Sequence, residues 1–221
     1  MSEGPASRPD IVVFDWGGVV LRICRSWEEG CAQAGLPVRD GSTSDEMRSA
    51  RRALAHEYQI GALEDGQFCA AVSESTNGVY TPEEIGRIHD AWLIDEYAGV
   101  GDAVEELLAA GRASTGVLSN TNARHWARHT LEDGSPGDFP TIGRLEHRHA
   151  SHLLECAKPN AEIYKAFEES TGFAGASILF FDDLEDNIAT ARSVGWRAHQ
   201  IDHTGDTATQ IRVVLTELGL I

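Results

Sequence analysis

The sequence predicts an α/β protein with a doubly wound parallel sheet and one inserted helical domain. Three observations indicate this fold class. Short apolar runs alternate with helical patterns over most of the chain, which is typical of a parallel sheet covered by helices on both faces. After the first apolar run, one long stretch shows helical patterns only. The 221 residues are enough for one large domain that carries a smaller insertion.

Four segments are predicted to be buried strands because they are short and mainly apolar. They are Ile11–Phe14, Thr115–Leu118, Ile178–Phe181 and, with a less regular pattern, Arg197–Ile201. Helical patterns lie between and after them, and each stops at a glycine, the residue that best adopts the left-handed conformation after a helix. These glycines are Gly111, Gly172, Gly195 and Gly219. The alternation predicts a Rossmann-like core.

The interrupting stretch is predicted to form an all-helical cap over the sheet. We assign residues 9–21 and 99–221 to the core and residues 22–98 to the cap. The clearest helix start in the cap is Thr81, followed by Pro82 at the first helical position and by Glu84, which is placed for a capping box. No strand-like apolar run was found between Arg22 and Tyr97.

Composition argues against several classes of partner. The formal net charge of −17 repels a nucleic-acid backbone, and no apolar run reaches the length that crosses a bilayer. Residues 1–10 are polar and lack the apolar centre of a signal peptide, so we expect a short frayed tail on a cytoplasmic protein. The cysteines, which have no metal-ligand spacing, are expected to be reduced core thiols. Composition does not predict the oligomeric state.

Polar side chains follow three of the predicted strands at the point where each strand ends. Asp15 follows the first, Ser119 and Asn120 follow the second, and the pair Asp182 and Asp183 follows the third. Ligands of open parallel sheets bind beyond the carboxyl ends of the strands. Carboxylates gathered there repel one another unless a cation lies among them, and oxygen ligands of this kind suit Mg²⁺. The sequence therefore predicts a magnesium site at this edge.

The chain contains two lysines, Lys158 and Lys165. A phosphate site in so acidic a protein must be locally positive, so the position of each lysine is informative. Lys158 directly precedes Pro159, whereas Lys165 falls on a predicted helix and is expected to be exposed.

Four segments together resemble the motifs of the haloacid dehalogenase superfamily. They are Val12-Val13-Phe14-Asp15-Trp16-Gly17-Gly18-Val19, then Leu118-Ser119-Asn120-Thr121, then Lys158-Pro159, then Phe181-Asp182-Asp183 with Asn187. Their order and separations span nearly the whole chain. The insertion after the first motif resembles the helical-cap subfamily, and the D-x-G-x-V form of the first motif resembles a branch that includes sugar-phosphate phosphatases.

The resemblance implies a role for each matching residue. Asp15 would attack phosphorus and become an aspartyl-phosphate. Ser119 and the backbone N–H of Asn120 would hold phosphate oxygens, and Lys158 would neutralise the charge shared between Asp15 and the phosphoryl group. Asp15, the Gly17 carbonyl and Asp183 would bind Mg²⁺, and Asp182 would act on it mostly through water. The implied partner is a small phosphate ester.

The sequence departs from this pattern at Gly17. Phosphatases of the superfamily usually carry a second aspartate there, as general acid and base, and losing such a group commonly lowers the rate by roughly 10²–10⁴-fold. Three interpretations follow: a phosphatase in which a good leaving group, an ordered water or another side chain covers the proton transfer; a metal-independent dehalogenase; or a catalytically weak binding or regulatory protein. We predict the first, because a dehalogenase would give Asp182 and Asp183 no purpose.

Four further interpretations concern residues around the predicted site. Trp16, beside the nucleophile, is a candidate substrate contact or a packing residue. Residues 58–63 of the cap are candidates for substrate contact. Asn187 is given little weight, and the cluster His147-Arg148-His149 is interpreted as a solvated loop.

Overall fold

The computed structural model describes residues 8–221, so most of the predicted N-terminal tail lies outside the described residues. The strands are β1 Ile11–Phe14, β2 Leu21–Ile23, β3 Leu93–Glu96, β4 Ser114–Ser119, β5 His147–Ala150, β6 Ile178–Asp182 and β7 Arg197–Gln200. The helices are α1 Trp27–Gln33, α2 Asp45–Gln59, α3 Asp65–Ser75, α4 Pro82–Asp90, α5 Val100–Ala110, α6 Ala123–Trp126, α7 Ser151–Leu154, α8 Ala161–Thr171, α9 Glu185–Ser193 and α10 Thr207–Glu217. Short 3₁₀ turns lie at Thr141–Arg144 and Gly175–Ser177.

The main sheet has five parallel strands in the order β5-β4-β1-β6-β7. Strand β1 is central, and its last residue, Phe14, aligns with Val117 of β4 and Phe181 of β6. The residues that follow β1, β4 and β6 therefore emerge side by side. This confirms the predicted doubly wound α/β core, including the four predicted strands.

Helices cover both faces of the sheet. On one face α5 and α10 pack on each other and on alternate residues of β1, such as Val12 and Phe14. On the other face α8 and α9 pack on Ile11 and Val13. Burial of both faces explains why these strands are apolar throughout instead of alternating.

The helical cap is a separate apolar cluster made by α1 to α4. Its centre is aromatic, with Tyr58 stacked on Phe68 at a ring-centroid distance of 4.3 Å and Trp27 against Tyr80 at 5.4 Å. The predicted start of α4 is confirmed, since Thr81 is the N-cap and forms a reciprocal capping box with Glu84.

The prediction that residues 22–97 contain helices alone is wrong. Strands β2 and β3 pair in an antiparallel ribbon that connects core and cap. The sequence does not predict them because each is only three or four residues long and includes charged residues, so neither forms an apolar run. The ribbon holds both connections to the cap side by side.

The interpretation of His147–His149 as a loop is also wrong. These residues form the edge strand β5, which pairs in parallel with β4. An edge strand needs apolar contact on fewer sides, and here the rings of His147 and His149 pack against Phe173 and Phe167. Polar composition therefore concealed a strand.

Two expectations from composition are tested by the structure. The four cysteines are free, and three of them are buried. Within residues 8–221, no helix has the length and apolar character needed to span a membrane.

Candidate active site

The carboxyl ends of β1, β4 and β6 bring the predicted polar residues together. Asp15 follows β1, Ser119 ends β4, and Asp182 and Asp183 lie at the end of β6. All four side chains are almost fully buried. Adjacent parallel strands in register are thus enough to assemble residues that lie more than 160 positions apart in the sequence.

Asp15 is held by two donors. The backbone N–H of Trp16 donates to its Oδ1 at 2.7 Å, and the ammonium of Lys158 lies 3.0 Å from the same oxygen. Burial raises the pKa of Asp15 to about 7; the neighbouring Asp182 and Asp183 add to that rise, whereas Lys158 opposes it. The other carboxylate oxygen, Oδ2, accepts no hydrogen bond from the described residues and is free to react.

Lys158 is fixed on every side. Its ammonium donates to Asp182 Oδ2 at 2.7 Å and to the Leu118 carbonyl at 2.8 Å, and it lies over the ring of Phe180. Burial alone would lower the pKa of Lys158, but Asp15 and Asp182 outweigh it and raise the pKa. Lys158 is therefore a charged, immobile cation beside Asp15.

Asn120 positions the backbone of Lys158. Its Nδ2 donates to the Lys158 carbonyl and its Oδ1 accepts from the Lys158 N–H, each at 2.8 Å. The prediction assigned only the backbone N–H of Asn120 to phosphate binding. The side chain has this second, structural task, which ties the end of β4 to the lysine.

Asp182 is saturated by protein donors. Its Oδ1 accepts from the Leu184 N–H at 2.8 Å, and Asn187 Nδ2 lies 3.0 Å from both carboxylate oxygens. With Lys158 on Oδ2, the carboxylate has little capacity left for a metal in its direct coordination sphere. Asn187, which sequence analysis gave little weight, is thus 2 % exposed and orients Asp182.

Asp183 carries a contact that sequence analysis missed. Arg25, in the connection from β2 to α1, places its Nη1 2.8 Å from Asp183 Oδ2. Gly18, at φ +92°, lies beneath this pair, and a Cβ there would come within 2.6 Å of Arg25 Nη2 and would overlap the Asp183 carboxyl group. No sequence signal marks Arg25, because it reaches the site from the cap connection.

The donor set fits a hard divalent cation. Asp15, Asp182 and Asp183 each offer a carboxylate oxygen, and these oxygens lie within 4.8 Å of one another. The Gly17 carbonyl accepts no hydrogen bond from the described part of the chain and is free to serve as a ligand. Oxygen ligands in small number are what Mg²⁺ takes when it keeps several waters.

A cavity of about 220 Å³ lies above the site, between core and cap. The core contributes Trp16, Gly17, Ser119 and Asn120 to its lining, and the cap contributes Tyr58, Gln59, His89 and Trp92. Of the cap segment 58–63, only Tyr58 and Gln59 therefore line it. Trp16 also packs edge-on against Trp126 and Phe139, so it serves the core and the cavity wall together.

The sequence matches the family of haloacid dehalogenase-like hydrolases over residues 9–195. The chain therefore belongs to this hydrolase family, which confirms the resemblance drawn from the four motifs. Membership of the helical-cap subfamily stays a prediction.

A relative with a similar sequence agrees with the assignment to this hydrolase family. Phosphatase MT3486 of Mycobacterium tuberculosis (strain CDC 1551 / Oshkosh) is 30% identical over 139 residues, which are 63% of this chain and 61% of that protein. The match thus spans about three fifths of that relative's length.

Solved structures share the fold. An HAD-family enzyme from Bacteroides thetaiotaomicron, in complex with magnesium and inorganic phosphate, superimposes with a TM-score of 0.72 at 20% identity, covering 91% of this chain and 98% of that one. A predicted HAD-like family hydrolase from Porphyromonas gingivalis gives 0.74 at 21% identity, covering 96% and 98%.

The raised pKa of Asp15 predicts pH-dependent stability of the metal-free protein. Below about pH 4 Asp15 is protonated whether folded or unfolded and contributes nothing. Between its ordinary value of 3.8 and about 7, only the unfolded chain ionises, so stability falls as pH rises. In EDTA at pH 8, Asp15→Asn should therefore increase the free energy of unfolding by on the order of 4 kcal/mol, and most of the gain should be lost near pH 4.

Urea unfolding at several pH values measures this difference. Asp186→Asn, at an exposed position in the first turn of α9, is the matched control; loss of its interaction with the helix dipole should lower stability at pH 8 by less than about 1 kcal/mol, opposite in sign to Asp15→Asn. An equal effect of Asp15→Asn at pH 4 and pH 8 would show that burial of its charge is not the cause.

The Arg25–Asp183 pair predicts competition with Mg²⁺. The guanidinium occupies Asp183 Oδ2, and this contact must be lost or shared before the carboxylate binds a metal. Arg25→Gln should therefore tighten Mg²⁺ binding about tenfold, equivalent to about 1.4 kcal/mol. Isothermal titration calorimetry measures it, with exposed Arg22→Gln as the charge-matched control. Weaker binding in Arg25→Gln would mean that Arg25 supports the metal site instead.

Proposed function

We propose that the protein is a Mg²⁺-dependent phosphatase that hydrolyses a small phosphorylated metabolite through an aspartyl-phosphate on Asp15. The observation that carries the proposal is the placement of Asp15 between Lys158, at 3.0 Å, and the carboxylate cluster with Asp183. A carboxylate flanked by one fixed cation and one cation site is suited to attack an anionic phosphorus centre.

The relatives support the same activity. One relative is named a phosphatase, and a solved structure of the same fold holds magnesium and inorganic phosphate. Both facts concern those proteins. For this chain they add weight to a reaction that its own residues already favour.

The reaction proceeds in two displacements. Asp15 Oδ2 attacks phosphorus, and the bond between phosphorus and the ester oxygen breaks, with its electron pair leaving on that oxygen. Lys158 holds Asp15 Oδ1 and balances charge as the phosphoryl group transfers, while Ser119 and the Asn120 N–H hold phosphate oxygens. Water then attacks phosphorus and gives up a proton to solvent. The bond between phosphorus and Asp15 Oδ2 breaks with its electron pair returning to the carboxylate, and inorganic phosphate is released.

The residues that would hold Mg²⁺ are Asp15, Asp183 and the Gly17 carbonyl, with Asp182 acting mostly through water. When bound, the ion supplies positive charge that offsets the phosphate and the clustered carboxylates. Asp182 has a further task, since it fixes Lys158 at 2.7 Å.

No carboxyl group belongs to the described residues that line the cavity, so none there can give a proton to the leaving group. Gly17 has no side chain to provide it. His125, which also lines the cavity, has a pKa lowered to about 4 by burial, and its Nε2 contacts the His89 carbonyl at 2.7 Å. It is therefore neutral at pH 7 with its one proton already engaged. A leaving group that needs little protonation fits this cavity.

A phosphate-release assay also tests the two other interpretations. A metal-independent dehalogenase would not need the carboxylate cluster, and a binding protein would not need Lys158 held beside Asp15. EDTA separates the first from a phosphatase, and turnover separates the second.

The first kinetic prediction concerns the nucleophile. With Mg²⁺ and an activated aryl phosphate, Asp15→Asn should lower kcat by about 10⁴-fold or more, because the amide cannot form the covalent intermediate. The exposed control variant Asp186→Asn should keep wild-type activity. EDTA should abolish the activity of the wild type. Phosphate release across aryl, sugar and nucleoside phosphates measures these effects. A wild type that releases no phosphate from any of them would refute the phosphatase proposal.

The second prediction concerns the missing acid. A Cβ on Gly17 would lie 3.0 Å from the end of the flexible Ile23 side chain, so an aspartate can fit if that side chain moves. Gly17→Asp should raise kcat for an alkyl phosphate by about tenfold or more and leave aryl phosphate nearly unchanged.

Gly17→Asn is the matched control because it has the same shape without a carboxyl group. If it accelerates the alkyl ester equally, proton donation is not the cause. If wild type hydrolyses alkyl and aryl esters at equal rates, proton transfer to the leaving group does not limit the reaction.

A further inference from the structure

A second cavity, in the cap, is lined by arginines. It has a volume of about 400 Å³, and its basic side chains are Arg25, Arg48, Arg51 and Arg52. Glu28 is the only acidic residue among those that line it. We call this cavity the arginine pocket. In a chain of net charge −17, such a concentration of positive charge needs an explanation.

Helix α2 supplies three of the four arginines on one face. Arg48, Arg51 and Arg52 follow the i, i+3, i+4 spacing that places side chains next to one another on a helix. Like charges at this spacing repel. The arrangement therefore costs stability unless something negative lies against it.

Carboxylates of the protein balance these arginines only in part: Asp183 contacts Arg25, Asp45 pairs with Arg48, and Glu28 lines the pocket. Arg51 is only 9% exposed; its guanidinium stacks 4.3 Å over Trp27 and its Nη1 donates to the Ser42 carbonyl at 2.6 Å. No carboxylate of the described residues forms an ion pair with Arg51, although Glu28, which also lines the pocket, attracts its guanidinium electrostatically. Arg52 has neither an ion pair nor a hydrogen bond within the described residues. Arg48 pairs with Asp45, whose side chain is 98% exposed, so that pair is screened by solvent.

The arginine pocket adjoins the candidate active site. Ala55, His89 and Trp92 line both cavities. Arg25 belongs to the pocket lining and also contacts Asp183. A group bound in the pocket would thus lie next to the substrate cavity and to a candidate metal ligand.

We propose that the arginine pocket binds a small molecule through a phosphate or carboxylate group. Arginine presents paired N–H donors that match these groups. Arg51 is buried without an ion pair, and Arg52 has no partner within the described residues, so both can gain from an anion. The anionic group belongs either to the substrate itself, as a second anion remote from Asp15, or to a separate effector. The first source rests on the proposed phosphatase activity, whereas binding to the pocket does not.

Calorimetric titration of the full chain with inorganic phosphate, in EDTA, tests the pocket directly. Without metal, the carboxylates at Asp15 repel phosphate, so we expect binding at the arginine pocket alone. Arg48→Gln and Arg52→Gln, both at exposed positions on α2, should each weaken binding about tenfold, equivalent to about 1.4 kcal/mol. Arg87→Gln, an exposed arginine of α4 outside the pocket, should leave it unchanged.

Two results would overturn the proposal. One is the absence of phosphate binding to the wild type. The other is binding that Ser119→Ala weakens while Arg48→Gln and Arg52→Gln do not, since the phosphate would then occupy the candidate active site. Circular dichroism of each variant verifies that loss of binding is not loss of fold. None of these measurements requires turnover, so failure of the phosphatase proposal would be recognised separately.

Kinetics with Mg²⁺ distinguish the two sources of the anion. If it belongs to the substrate, Arg52→Gln should raise KM about tenfold for a sugar bisphosphate and leave an aryl phosphate unaffected. If it is an effector, added sulfate should change aryl phosphate turnover in the wild type and not in Arg52→Gln. Either pattern supports the pocket, and identical behaviour of Arg52→Gln and wild type in both assays counts against it.

Discussion

The candidate site is organised by the mutual repulsion of three buried carboxylates at one edge of the sheet. Asp15, Asp182 and Asp183 lie within 4.8 Å of each other through their oxygens, and two side-chain cations, Lys158 and Arg25, contact them. Two cations leave one negative charge unbalanced when all three carboxylates are ionised. Burial makes that unbalanced charge unfavourable, and this is why the pKa of Asp15 is raised. A bound proton, a divalent cation or a rearrangement of the charged side chains must compensate the unbalanced negative charge.

Most of the surrounding structure serves to keep these charges in place. Lys158 is held by two hydrogen bonds from Asn120 to its backbone, and Asp182 is held by Asn187 and the Leu184 N–H. The first support ties the end of β4 to Lys158, and the second ties the end of β6 to the start of α9. These hydrogen bonds fix the site on the core side. The contact of Asp183 with its cation, Arg25, is the part of the site that can change. Arg25 comes from the cap connection, so any rearrangement there involves the cap.

The sequence predicted the core well because its signals are local. Three of the four predicted strands end in a polar residue that the site needs, and parallel register then brings those ends together without further information. The elements that were missed are those without a local signal. Strands β2 and β3 are short and partly charged, and β5 is an edge strand whose histidines pack against rings distant in sequence. They become visible only through their pairing partners.

The same limit applies to the site residues. Asp15, Ser119, Lys158 and Asp183 could be found because they directly follow or precede recognisable patterns. Arg25 could not, because its contact with Asp183 joins residues 158 positions apart through the packing of the cap connection on the core. Asn187 was seen and undervalued, since a helix-start asparagine usually satisfies nearby backbone. Here the Asn187 side chain instead donates to the buried Asp182 carboxylate and orients it.

Charge distribution also explains how so acidic a protein can attract an anion. With a net charge of −17, the surface repels a phosphate ester at long range, but this repulsion is screened beyond about 8 Å at physiological ionic strength. Local fields then decide binding. The chain has only 18 lysines and arginines. It places Lys158 beside Asp15, and it places Arg25 in the lining of the arginine pocket and in contact with Asp183. Arg25 contacts the Asp183 carboxylate and also lines the arginine pocket. An anion in the pocket would compete with Asp183 for the same guanidinium, so binding there and metal binding at Asp183 would favour each other.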